Sequence, residues 1–207
     1  MDKFNNVNIK KISVGELQEN CYIVENNDSA SATIIDPGSE PNKIIENLSY
    51  PKIDSVILTH GHFDHISAID DLAKKYDFKI YVHEYDAEML ADPEKNLSSS
   101  FMTKPIVISH NFITYTDNQT IKSSGLEFKA IHTPGHSKGS TCLLLNVGEE
   151  NILFTGDTLF AGGYGRTDFY GGDFSSLVNS MRRLYKLEGY YYCYPGHGDN
   201  TILGKKS

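Results

Sequence analysis

Long apolar runs are missing from this 207-residue chain. No stretch approaches the roughly 20 residues that a membrane-spanning helix needs. The opening Met1-Asp2-Lys3-Phe4-Asn5-Asn6 carries no apolar core of the secretory kind. Cysteine is scarce: Cys21, Cys142 and Cys193 are far apart, odd in number and form no Cys-x-x-Cys pair. Each sits in an apolar or aromatic run, as a small buried hydrophobe of a reducing compartment would. Positive charge is short as well. The formal net charge of -8 argues against a phosphate backbone as the main partner. No internal repeat, linker or low-complexity tract is present. These absences point to a single domain over residues 1–207, cytoplasmic, with neither a membrane nor a nucleic acid as partner. Nothing in the sequence sets an oligomeric state.

What is present alternates between strand and helix signals. Ile9–Val14, Asn20–Glu25 and Ala32–Ile35 read as strands, the last stopped by Asp36-Pro37-Gly38. Asn42–Leu48 has helical spacing, and Asp54–Thr59 is a short strand of the fully buried type. A helix is expected after residue 65 up to Tyr76-Asp77, then a strand at Lys79–His83 and a helix at Glu84–Leu90. Asp92–His110, with a serine run and two prolines, reads as a long loop or lid. Strands return at 112–115, 120–122, 126–132, 141–147 and 152–154. An amphipathic helix over Asp173–Leu187 follows, with Asp173 as N-cap, and a last strand at Tyr190–Tyr194. The rhythm of strands then helix, twice over, predicts an α/β chain of two sheets packed face to face with helices outside, a four-layer arrangement.

One stretch carries the chemistry. Thr59-His60-Gly61-His62-Phe63-Asp64-His65 places three histidines and an aspartate within six positions, directly after the apolar Val56-Ile57-Leu58. Imidazole nitrogens and carboxylate oxygens are what zinc, iron and manganese accept. Elsewhere the chain repeats one device: an apolar strand, a small-residue turn, then a histidine or aspartate. It does so at Thr133-Pro134-Gly135-His136, Thr155-Gly156-Asp157 and Pro195-Gly196-His197. Such ends of strands are where α/β folds gather their sites. His83, His110 and His132 lack this context and read as structural or surface residues, with His132 a candidate hydrogen-bond partner of a ligand.

Taken together these segments resemble the metallo-β-lactamase superfamily, over nearly the whole chain. The resemblance implies a four-layer αβ/βα sandwich with metals at one edge of the two sheets. Carried over residue by residue, it implies that His60, His62 and His136 hold one metal ion, that Asp64, His65 and His197 hold a second, and that Asp157 bridges them. Within the superfamily, Asp157 stands where lactam-hydrolysing enzymes usually have cysteine, and no flavin domain is present. Leu159–Asp168 with Gly171-Gly172-Asp173 looks like the short bacterial hydroxyacylglutathione hydrolase (glyoxalase II) group. The longer members of that group add a C-terminal helical domain with basic contacts to glutathione, which this sequence does not contain.

The expected activity is therefore hydrolysis of a small-molecule thioester of the S-lactoylglutathione type by a metal-bridging hydroxide. Two divalent ions are implied, zinc first, with iron or manganese also accepted by the ligands. Asp64 would orient the hydroxide as well as bind metal. Asp36 is a candidate acceptor for a ligand imidazole. Arg166 is expected to pair with Asp168, or else to anchor substrate, and Tyr164 to line the cleft. Two alternatives stay open: a mononuclear iron persulfide dioxygenase, which shares the Gly-Arg-Thr-Asp segment, and a catalytically idle metal-binding domain.

Overall fold

The computed structural model describes residues 1–205; Lys206 and Ser207, the end of the expected domain, lie outside them. The first sheet has seven strands in chain order: β1 (Asp2–Phe4), β2 (Val7–Val14), β3 (Glu19–Asn26), β4 (Ser31–Ile35), β5 (Ile53–Ile57), β6 (Lys79–His83) and β7 (Ile113–Tyr115). The second holds β8 (Thr120–Ser123), β9 (Leu126–His132), β10 (Thr141–Val147), β11 (Glu150–Gly156), β12 (Tyr190–Pro195) and β13 (Thr201–Gly204), ordered β13-β12-β11-β10-β9-β8. Both sheets are mixed: β4, β5, β6 and β7 pair in parallel, as do β11 and β12.

Period-two alternation sorts the side chains into layers. β3 is buried at every position. Its Tyr22 and Val24 face Ile57, Phe128, Leu143 and Phe154 between the sheets. Its Cys21 and Ile23 face outward onto Ile44, Ile66, Ile69 and Leu72 of the helical layer. The second sheet repeats the pattern, with Ile131, Leu153 and Cys193 packed outward against Leu184. The result is the expected αβ/βα sandwich. It explains why the strands read as continuous apolar runs: both of their faces are covered.

The helices are short. α1 (Pro41–Glu46), α2 (Phe63–Ile66), α3 (Ile69–Ala73) and α4 (Ser98–Phe101) precede the 12-residue α5 (Phe174–Tyr185). As expected, α5 is capped by Asp173, whose Oδ1 accepts the Ser176 N–H at 2.6 Å. Such a cap is worth about 1 kcal/mol.

The single helix expected after residue 65 is instead two. Ala68 donates its N–H to the Pro37 carbonyl, and the Asp64 carbonyl that a continuous helix would use is crowded by Gly38. Glu84–Leu90 winds as a 3₁₀ helix. Asp92–His110 is pinned: the Asn96 side chain donates to the carbonyls of Met89 and Ile106, and the Ile108 N–H donates to Leu90. Strands β1 and β13 were not expected from the sequence; both are short edge strands. No helix among the described residues is long and apolar enough to cross a membrane.

Candidate metal centre

Five strand ends converge at one edge of the sandwich. β4 runs into Asp36, β5 into Thr59 and His60, β9 into His136, β11 into Asp157 and β12 into His197. Close approach is built into the turns between them. A Cβ on Gly196 would lie 2.2 Å from Asp157 Oδ1, and one on Gly165 would lie 2.0 Å from the Asp157 carbonyl oxygen. Asn20 ties the last turn down: its N–H donates to Gly196, and its amide donates to Pro195 and Gly198. The Tyr22 hydroxyl adds a bond to the Pro195 carbonyl at 2.6 Å.

The seven residues picked out by the histidine motif and the turns come together. Ligand-bearing atoms of His60, His62 and His136 lie within 4.8 Å of one another, and so do those of Asp64, His65 and His197. Between the groups lies the Asp157 carboxylate. Its Oδ1 is 3.5 Å from His65 Nε2, and its Oδ2 is 3.5 Å from His136 Nε2 and 3.6 Å from His197 Nε2.

Hydrogen bonds on the far side of four of the five rings fix which nitrogen faces inward; His62 instead turns its Nδ1 to His136 Nε2 at 2.9 Å. The His65 Nδ1–H donates to Asp36 Oδ2 at 3.0 Å, and the His136 Nδ1–H donates to the Arg166 carbonyl at 2.7 Å. The His197 Nδ1–H reaches the Leu17 carbonyl at 3.2 Å. The Thr59 hydroxyl donates to Asp36 Oδ2, so its oxygen is left to accept from His60 Nδ1 at 3.1 Å. Carboxylates and carbonyls only accept, so these rings hold their proton outside and turn the Nε2 lone pair to the centre.

The buried Nε2 atoms of His60 and His65, with Asp157 Oδ1, have no hydrogen-bond partner in the protein. Buried polar atoms left so cost free energy unless something else satisfies them. A divalent cation is what this donor set fits.

Charge is arranged in the same sense. Burial pushes the pKa of His60 and His62 well below the ordinary imidazole value, with neighbouring imidazoles adding to the effect. Those rings stay neutral, as ligands must. Burial would also lower His65, but Asp64, Asp157 and Asp36 outweigh it and push His65 up, so positive charge is favoured at that point. Burial likewise acts against Asp64 ionising; His65 and the bond from His197 overcome it and hold the carboxyl far below the usual range.

Three contributors had no sequence signature. Asp86, in the 3₁₀ helix, accepts from Gly61 N–H, Ser137 Oγ and Gly139 N–H, tying the His60–His62 turn to the His136 turn. Glu19 lies fully buried with Oε1 3.7 Å from His65 Nδ1, and neither carboxyl oxygen has a hydrogen-bond partner. Burial pushes its pKa well above the ordinary value. Leu17 contributes only a carbonyl.

Of the remaining expectations, Asp36 sits where a ligand's hydrogen-bond acceptor belongs. Arg166 pairs with Asp168 through Nε and Nη2, both at 2.7 Å, and its guanidinium lies 3.9 Å over the Phe169 ring. Tyr164 is more than half exposed and packs on Phe174, away from the lining of the central cleft. His132 stacks on His83 at 4.2 Å and bonds to the Lys138 carbonyl, while His110 pairs with Asp70 at the surface.

With this geometry established, comparison with known proteins assigns the class. The family model of the metallo-β-lactamase superfamily matches residues 14–197. The chain belongs to that superfamily. It is 31% identical over 205 residues to the hydroxyacylglutathione hydrolase GloC of Haemophilus influenzae, covering 97% of this chain and 95% of that protein. Among solved structures, the BLEG-1 B3 metallo-β-lactamase aligns with a TM-score of 0.86 at 32% identity over 94% of each chain. TTHA1623 in a di-iron-bound form aligns at 0.75 and 30% identity, again over 94% of each. The protein is thus a metallo-hydrolase-superfamily member with a metal-binding His/Asp cluster.

Proposed function

We propose that the protein is a dinuclear metal-dependent hydrolase cleaving a thioester of the hydroxyacylglutathione type. The observation that carries the dinuclear reading is Asp157, whose Oδ2 lies 3.5 Å from His136 of one group and 3.6 Å from His197 of the other, with Oδ1 3.5 Å from His65. His60, His62 and His136 would hold one ion and Asp64, His65 and His197 the other, with Asp157 between them. Zinc is the first choice for this set, with iron or manganese next. When bound, such a pair supplies a water activated near neutral pH and polarises a carbonyl.

The protein's own residues do the rest. Asp64 stays a carboxylate, lies 3.3 Å from His197 Nε2, and serves to orient the attacking water. Asp36 and the Arg166 and Leu17 carbonyls hold the rings in register. No serine, threonine or cysteine among the described residues lines the cleft, and burial pushes the Cys142 thiol up to about 11 and the Cys193 thiol up to about 12. The nucleophile is then water. Its oxygen bonds to the carbonyl carbon, the C–S bond breaks, and acid and thiol leave as products. The similarity to GloC supports the thioester.

The test is thiol release from S-lactoylglutathione under nitrogen, wild type against Asp157→Ala. Release by the wild type alone supports the reading, and equal release by both sinks it. A second reading, β-lactam hydrolysis, is favoured by the similarity to BLEG-1. Turnover of a chromogenic cephalosporin without any thioesterase activity would select it.

A further inference from the structure

We infer that the cleft recognises its substrate by an aryl or bulky apolar acyl group seated against Phe63, Phe101 and Phe169. The inference rests on the thioester reading above and deepens it. The cleft over the centre has a volume of about 320 Å³, at the small end for ligand sites. Apart from the His/Asp cluster, its lining is Leu17, Phe63, Leu97, Phe101, Phe160 and Phe169, with Gly165 and Arg166.

Three of the rings form a continuous wall. Phe63 and Phe101 are stacked at 5.8 Å and 12°, and Phe101 meets Phe169 edge-on at 5.9 Å. Phe169 in turn meets the His62 ring at 6.1 Å. The wall therefore runs from the rim to a residue of the centre. It is also held in place: the Phe63 N–H donates to the Asn96 carbonyl at 2.9 Å, and Asn96 is itself bonded to Met89 and Ile106. Yet Phe101 is 56% exposed. A ring held open to water above a catalytic cluster gains from being covered by an apolar ligand group.

Charge recognition is weak by comparison. Among the described residues, Arg166 is the only cationic side chain in the lining besides the histidines, and no lysine takes part. Its Nε and Nη2 donate to Asp168, and its face lies on Phe169, where it extends the wall. A glutathionyl group carries two carboxylates and an ammonium. Among the described residues it finds no lysine in the lining, and the one arginine there is already paired with Asp168. The thiol arm is left to the solvent side, and selectivity falls on the acyl arm.

Two thioesters that share thiol and α-hydroxyl but differ in methyl against phenyl, S-lactoylglutathione and S-mandeloylglutathione, test this on the metal-loaded enzyme. After correction for their rates with hydroxide, kcat/KM should favour the phenyl compound by about tenfold or more, chiefly through KM. Phe101→Ala and Phe169→Ala should each bring that ratio toward one. A ratio at or below one, or one unmoved in both variants, overturns the inference and leaves the hydrolase reading standing. If neither compound releases thiol, the hydrolase reading fails. Calorimetric binding of mandelate against lactate then decides the wall by itself: tighter mandelate supports it, and equal affinity overturns it.

Discussion

Asp36 Oδ2 lies 3.0 Å from His65 Nδ1, and the same carboxylate accepts both the N–H and the hydroxyl of Thr59. Through Thr59 it also sets the proton position on His60. One aspartate at φ 51°, a backbone region that aspartate enters more readily than most residues, thus orients one ring in each histidine group. Asp36→Asn would place an amide donor against two donors. Metal affinity should fall by about 10–100-fold, measured by competition with a chromogenic chelator. Unchanged affinity would show that the rings are held by packing alone.

Gly196 is not at a positive φ, so its requirement is purely for space. A methyl there meets Asp157 Oδ1 at 2.2 Å and His65 Cε1 at 2.7 Å. Gly196→Ala should keep the far-ultraviolet circular dichroism of the wild type and lose bound metal. Normal metal content in a folded variant would contradict the placement of Asp157.

Arg166 contributes its backbone carbonyl to His136, so truncating the side chain leaves that bond in place. Arg166→Ala should retain the wild-type metal content while losing the contact with Phe169, visible as a raised KM. Loss of metal would mean that the pair with Asp168 holds the loop.

How much of this was legible in the sequence follows from the type of group involved. The His60–His65 motif and the three Gly-then-ligand turns were readable because metal chemistry restricts residue type and close approach restricts Cβ. The four layers were readable because two-sided burial leaves strands apolar throughout. Asp86, Glu19 and the Leu17 and Arg166 carbonyls were not. Asp86 reaches the site from the 3₁₀ helix as a lone aspartate with no motif around it, and a backbone carbonyl leaves no trace in side-chain identity. The short α2 and α3 were hidden for a related reason: a tertiary bond from Ala68 to Pro37 interrupts a sequence that is locally compatible with one helix.

His83 offers a pH prediction away from the ligands. Burial and the stacked His132 push its pKa down to about 4, with Asp117 opposing weakly. Tyr85 N–H bonds to its Nδ1, and Tyr115 packs on its edge. Between that value and the ordinary one the unfolded chain binds the extra proton, so stability is full above about pH 6.5 and is lost as pH falls toward 4. From pH 7 to pH 5 the wild type should lose about 1–2 kcal/mol more than His83→Gln in urea unfolding. Parallel losses in the two proteins would contradict the assignment.

The most direct test is stepwise return of zinc, and in a parallel series ferrous iron, to chelator-stripped protein, with thiol release from S-lactoylglutathione and oxygen uptake on glutathione persulfide followed at each addition. The account predicts that hydrolysis of a thioester reaches its plateau at two equivalents per chain without oxygen being consumed. It also predicts that Asp157→Ala falls short of wild-type activity by about 10³-fold at any loading. A plateau at one equivalent of iron, with oxygen uptake on glutathione persulfide and no thioester hydrolysis, would contradict it.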